Sequence, residues 1–180
     1  MSKKFSRFII FALIVTGIIS SAGCTSTIPN TNEKTTKEYN VTLYFANSEY
    51  IQTGDENLEH MVLVKNYKLE SENGKQYMDL LNLALRIVPD GVDGADTLID
   101  DKIVFNDVNV DNGIATVDLS GETLNGGSLE EAYVISQIVD SLINSFEEIN
   151  SVQFLADGKK VESLMGHFDV SKPFTEGITN

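Results

Sequence analysis

The hydrophobic period of this chain switches repeatedly between two residues and about 3.6, and the order of those switches limits the fold more than any other feature of the sequence. Val41, Leu43 and Phe45 alternate with Thr42 and Tyr44, the pattern of a half-buried strand. Met61 to Glu70 (MVLVKNYKLE) is rich in β-formers and is followed by Asn73-Gly74. From Gln76 the period lengthens. Tyr77, Leu80, Leu81, Ala84, Ile87 and Val88 share one helix face, and Pro89 stops the helix. Residues 103–110 and 114–119 read as a hairpin about Asp111-Asn112-Gly113. Ile103 and Phe105 are one residue out of phase with Val108 and Val110, which a bulge near Asn106-Asp107 corrects. Ser128 opens a second helix, with Glu131 completing a capping box. Ala132, Ile135, Ile138, Val139, Leu142, Ile143 and Phe146 form its inward face, which leaves Gln137, Asp140, Asn144 and Glu147 outward. Val152 to Ala156 is a last strand, closed by Asp157-Gly158. The order β-β-α-β-β-α-β predicts a mixed α/β (α+β) fold, a small β-sheet packed with two helices.

The amino end reads as an address. Lys3, Lys4 and Arg7 precede the uncharged, mostly apolar stretch from Phe8 to Ile19, and Ser20, Ser21, Ala22, Gly23 and Cys24 follow. This is the layout of a secretory signal. Twelve helical residues rise about 18 Å, short of a hydrocarbon core of about 30 Å. Small residues ending in Gly23-Cys24 resemble a bacterial lipobox, although Ser21 stands where that motif usually has Leu. The resemblance implies a diacylglyceryl group on Cys24 and cleavage before it, so that two acyl chains anchor the protein to the outer face of the cell membrane. The expected organisation is a signal peptide over 1–23, the lipidated Cys and a Thr-rich flexible tether over 24–38, one domain over 39–175 and a tail over 176–180.

Charge and residue counts then narrow the function. The chain carries 13 Lys+Arg against 27 Asp+Glu, and removal of 1–23 leaves 10 against 27, a net −17. Nucleic acid is an unfavourable partner for such a surface, since phosphate binding needs clustered cations. A single Cys excludes a disulfide scaffold. Asp107, Asn109, Asp111 and Asp118 have part of the spacing of a calcium loop. The sixth position is Asn112 rather than Gly, and the segment alternates as two strands, so a hairpin turn is the expected reading. Asp90, Asp93, Asp96, Asp100 and Asp101 read as a solvated acidic loop, and His60 and His167 as separate histidines without a ligand cluster. No catalytic, cofactor or metal residues are assigned, because no convergent set of acid, base and nucleophile stands out.

Several strings resemble the GerMN domain of sporulation and spore-germination proteins. They are residues 41–45 (VTLYF), 113–120 (GIATVDLS), 137–142 (QIVDSL), 152–154 (VQF) before Asp157-Gly158, and 166–173 (GHFDVSKP). The resemblance implies a fold similar to ring-building motifs of envelope-spanning machines. It implies a non-enzymatic, lipid-anchored extracytoplasmic protein that acts through contact with another envelope protein in sporulation, germination or envelope assembly. Two rival readings are a peptidoglycan-binding or wall-hydrolysing module, and a sensory lipoprotein partner of a membrane kinase.

Overall fold

The computed structural model describes residues 35–179, so the signal segment, Cys24 and most of the expected tether lie outside the described residues. The first strand, β1 (Thr36–Asn47), begins inside the stretch assigned to the tether. It buries Val41, Leu43 and Phe45 on one face, as their alternation requires. It pairs antiparallel with β2 (Met61–Glu72). The register shifts between Val41 and Leu43, where Lys65 and Asn66 oppose Thr42, and Asn66 takes a left-handed φ of 57°. This is a bulge that an Asn side chain tolerates better than most. Between the two strands runs a short helix that the hydrophobic period does not announce, α1 (Ser48–Thr53).

The first predicted helix is present in altered form. α2 (Gln76–Asp79) continues as a π-helical turn over Leu80–Ala84, in which the Leu85 amide donates to the Leu80 carbonyl at 3.0 Å. A π turn holds more residues than an α turn and shifts the phase of the buried face. Leu80, Leu81, Ala84 and Leu85 are buried, whereas Ile87, assigned to the buried face by α-helical spacing, is 73% exposed. The helix also ends before Pro89. The Thr97 hydroxyl donates to the Leu85 carbonyl at 2.7 Å, and the Arg86 guanidinium donates to the carbonyls of Ile103 and Asp100.

A two-residue strand, β3 (Ala95–Asp96), pairs with the end of β1. The hairpin forms from β4 (Phe105–Asp111) and β5 (Ile114–Leu119), with φ of 50° at Asn112 and 83° at Gly113, the two positive values an Asn-Gly turn supplies. Its register shifts between Phe105 and Asp107, so the expected bulge is there. After a 3-10 turn at Gly121–Thr123 comes α3 (Ser128–Ser145), and then β6 (Ser151–Ala156), which pairs parallel with β5. The fold is mixed α+β, but with two three-stranded sheets rather than one. Their orders are β2-β1-β3 and β4-β5-β6.

Helix α3 explains why the sheets stay separate. The Thr42 amide donates to Ser145 Oγ and the Tyr44 amide to Ser141 Oγ, both at 3.0 Å, while Ser145 Oγ donates back to the Thr42 carbonyl. Two serines one helical turn apart thus stand where a neighbouring strand would pair with β1. Apolar residues of α3, β1, β4, β5, β6 and the π turn share one core cluster.

The polar face expected on α3 is corrected by the structure. Gln137 is fully buried and Asp140 is 3% exposed, whereas Asn144 and Glu147 are exposed as expected. The helix is wrapped by irregular segments whose amides need acceptors. Gln137 Oε1 accepts from the Leu98 amide at 2.9 Å, and its Nε2 donates to Thr97 Oγ1. Asp140 Oδ1 accepts from the Gly177 amide at 2.7 Å, and Ser136 Oγ from the amides of Ile178 and Thr179. Residues assigned to the tail therefore bond to the helix. Glu131 does not form a capping box either. The N-cap is Gly127, and the buried Glu131 carboxylate accepts from the amides of Leu164, Met165 and His167 at 2.8–2.9 Å.

Candidate functional site: a groove beside His60

The side chain of Asn47 ends β1 and starts the site. Its Oδ1 caps α1 by accepting from the amides of Glu49 and Tyr50, and its Nδ2 donates to the Glu59 carbonyl at 2.8 Å. The Asn47 amide donates to the His60 carbonyl at 2.9 Å. At the other end Gly54 closes α1 with φ of 63°, donating to the Tyr50 carbonyl. One residue thus fixes α1, the following loop and the entry to β2 in a single frame, which sets Tyr50 against His60 with ring centroids 4.1 Å apart.

The His60 ring meets the carboxy-terminal segment. Nδ1 donates to the Thr179 carbonyl at 2.5 Å, and Nε2 lies 3.9 Å from Glu56 Oε2. That segment is held on α3 by Ser136 and Asp140, as described. Gly177 is required there because a Cβ would lie 2.9 Å from both Ser136 Cβ and Asp140 Cγ. His60 and Thr179 stand in the walls of two cavities. One, of about 310 Å³, is lined by Tyr44, Glu56, Asn57, Glu59 and Leu63 among others. The second, of about 280 Å³, is lined by Tyr50, Leu129, Ala132, Tyr133, Phe168 and Ile178 among others. The first presents carboxylates and the second aromatic and aliphatic carbon.

Two hydroxyls in these walls have no hydrogen-bond partner among the described residues. Tyr133 Oη and Thr179 Oγ1 are both buried. A buried hydroxyl left unpaired costs about 1–3 kcal/mol. Burial, and secondarily the nearby Tyr50, pushes the Tyr133 phenol up to about 12. Chemically the site can hold apolar side chains and a cation. His60 Nδ1 donates to a main-chain carbonyl, which leaves Nε2 as the basic nitrogen, and the group beside Nε2 is the Glu56 carboxylate at 3.9 Å rather than a hydroxyl or thiol.

The sequence motifs fall elsewhere. Asp107, Asn109 and Asp111 lie exposed along β4. Asp118 Oδ1 accepts from the Gly158 amide at 2.8 Å, and its Oδ2 from Asn106. The segment is a hairpin rather than a loop that gathers ligands. In the acidic loop, Asp96 and Asp100 accept from the amides of Thr97 and Lys102. His167 Nε2 lies 3.3 Å from the Gly126 carbonyl, so the two histidines have separate partners. Among the described residues no three His, Cys, Asp or Glu are grouped to hold a metal ion, and no helix is long and apolar enough to cross a membrane. Cys24 lies outside the described residues. Sequence reasoning missed Tyr50, Tyr133 and Thr179. Asn47 ahead of Ser48-Glu49 was the available signal for α1, since Asn is a preferred N-cap.

Comparison with known proteins adds three findings. The sequence pattern of the Germane family, described as sporulation and spore germination, matches residues 42–162. No curated protein sequence matches the chain. Among solved structures, the tandem GerMN domains of the Bacillus subtilis sporulation protein GerM are similar, with TM-score 0.55 and 16% identity. The match covers 79% of this chain and 46% of that one, so this chain spans just under half of the tandem. The first GerMN domain of the same protein has TM-score 0.52 and 13% identity, over 78% of this chain and 98% of that one. A candidate lipoprotein from Clostridium perfringens has TM-score 0.48 and 21% identity, over 79% of this chain and 95% of that one.

Proposed function

This chain belongs to the Germane family, and from that premise we propose that it is a non-enzymatic, lipid-anchored extracytoplasmic protein that works by contact with another envelope protein in sporulation, germination or envelope assembly. One observation carries the non-enzymatic part. The buried polar side chains of α3 are engaged by the fold: Glu131, Ser136, Gln137, Asp140 and Ser141 each accept main-chain amides from other segments. Groups that would be candidates for acid–base work are thereby used to dock β1, two loops and the carboxy-terminal segment. The anchor is the diacylglyceryl group on Cys24, which follows the basic and apolar signal. A domain this acidic gains nothing from an anionic membrane surface, so the lipid supplies the attachment.

The test has two arms. Mass spectrometry of the membrane fraction should find a mature protein that begins at Cys24 with the added lipid, and Cys24→Ala should abolish both. In parallel, purified protein is incubated with peptidoglycan, then sedimented, and the supernatant is analysed for released fragments. Neither co-sedimentation nor release is expected. Release of sugar or peptide fragments would replace the contact reading with the wall-hydrolase reading, and co-sedimentation alone with the wall-binding one.

A further inference from the structure

Resting on the contact reading above, we propose that the two cavities beside His60 form one docking groove for a segment of a partner protein that carries a bulky apolar side chain closely followed by Lys or Arg. The apolar half is built from Tyr50, Tyr133, Phe168 and Ile178, with Leu129 at 47% exposure among its walls. The other half contains Leu63 at 44% exposure beside Glu56 and Glu59. Among the described residues, two of the six large apolar side chains that the fold leaves exposed are thus found here, one in each half.

Charge selects the second element of the partner. Glu56 and Glu59 line the groove, and among the described residues no Lys or Arg lines either half. The whole chain carries −14, which steers cationic partners toward it and disfavours acidic ones. The frame is also tied together by its own hydrogen bonds. Asn47 caps α1 and ties the loop to β2, and His60 clamps the Thr179 carbonyl, so little ordering is left to be done on contact.

The experiment presents the full chain, in detergent, with a displayed random heptapeptide library. Enriched peptides should carry Lys or Arg within three positions of a bulky apolar residue. Their enrichment should fall at least about tenfold on Leu129→Asp, and also on the Glu56→Lys/Glu59→Lys pair. It should be unchanged on Ile87→Asp, a substitution at an exposed apolar position that does not line the groove. These substitutions are at exposed positions, and circular dichroism checks that each variant is folded. Peptides without a basic residue, no enrichment at all, or indifference to both groove variants would overturn the groove. Photo-crosslinkers placed at Leu129 and at Ile87 in intact cells separate this failure from that of the parent reading. Protein cross-links from Ile87 and none from Leu129 would remove the groove and leave the contact reading in place. Cross-links to wall material alone, from both positions, would remove both.

Discussion

Replacing Glu131 by Ala tests the claim that α3 serves as the polar spine of the domain. The carboxylate is fully buried and accepts three amides, from Leu164 and Met165 at 2.9 Å and from His167 at 2.8 Å. Hydrogen bonds to a charged group contribute about 1.5–3 kcal/mol each, so removing all three has a gross cost of about 4.5–9 kcal/mol. Water relieves part of this, because of the three donor residues only Leu164 is buried, while Met165 is half-buried and His167 exposed. A net loss of about 3–5 kcal/mol is expected, which is a large share of the 5–15 kcal/mol typical of a domain. At roughly 2–4 °C per kcal/mol, that corresponds to a fall in Tm of about 10 °C. Glu131→Gln should cost less. It keeps an acceptor for two of the amides but can set an NH2 group against the third donor. Urea unfolding followed by circular dichroism measures the loss, and hydrogen exchange measures protection at the amides of Leu164, Met165 and His167. Protection should be lost at those three in Glu131→Ala while β1 amides remain protected under native conditions. A cost below about 1 kcal/mol with those three amides still protected would refute the reasoning, since the carboxylate would not then be what holds the loop.

Two further perturbations address the carboxy-terminal segment and the groove wall. Gly177→Ala places a methyl against Asp140 and Ser136, so unfolding measurements should show a loss of about 1–3 kcal/mol, with faster exchange at the amides of Ile178 and Thr179. Tyr133→Phe removes a hydroxyl without a partner and should be neutral or stabilising by up to about 1 kcal/mol near neutral pH. The same phenol ionises at about 10 when unfolded and at about 12 when folded. Between those values the unfolded state has lost the proton and the folded state retains it, so the stability present below pH 10 declines toward pH 12. Unfolding curves across that window should therefore fall less steeply for Tyr133→Phe than for wild type.

The strands and the hairpin were legible because each buries one face and their side chains alternate. Val41, Leu43 and Phe45 needed only period two, and the phase slip between Phe105 and Val108 located a bulge that the register contains. Helical faces were legible only where the helix is an ordinary one with solvent on its far side. The π turn at Leu80–Ala84 moved burial to Leu85 and left Ile87 outside. On α3, Gln137 and Asp140 read as solvent-facing because a buried acceptor and an exposed polar residue have the same letter and the same spacing. What differs is the amide that arrives from residues 98 and 177, which periodicity does not carry. The groove was hidden for a similar reason. Tyr50, His60, Tyr133 and Thr179 come from four separate segments, and only the topology brings them together.

The contacts at Ser136 and Asp140 also set an order in time. Synthesis runs from the amino end at about 5–20 residues per second. Both sheets and α3 exist as chain before residues 177–179 arrive. Until then the amides that residues 177–179 bring to Asp140 and Ser136 have not been made, and His60 lacks its carbonyl. Residues 177–179 therefore act as the closing stitch of the domain, and the walls of the groove are complete only once that stitch has been drawn tight.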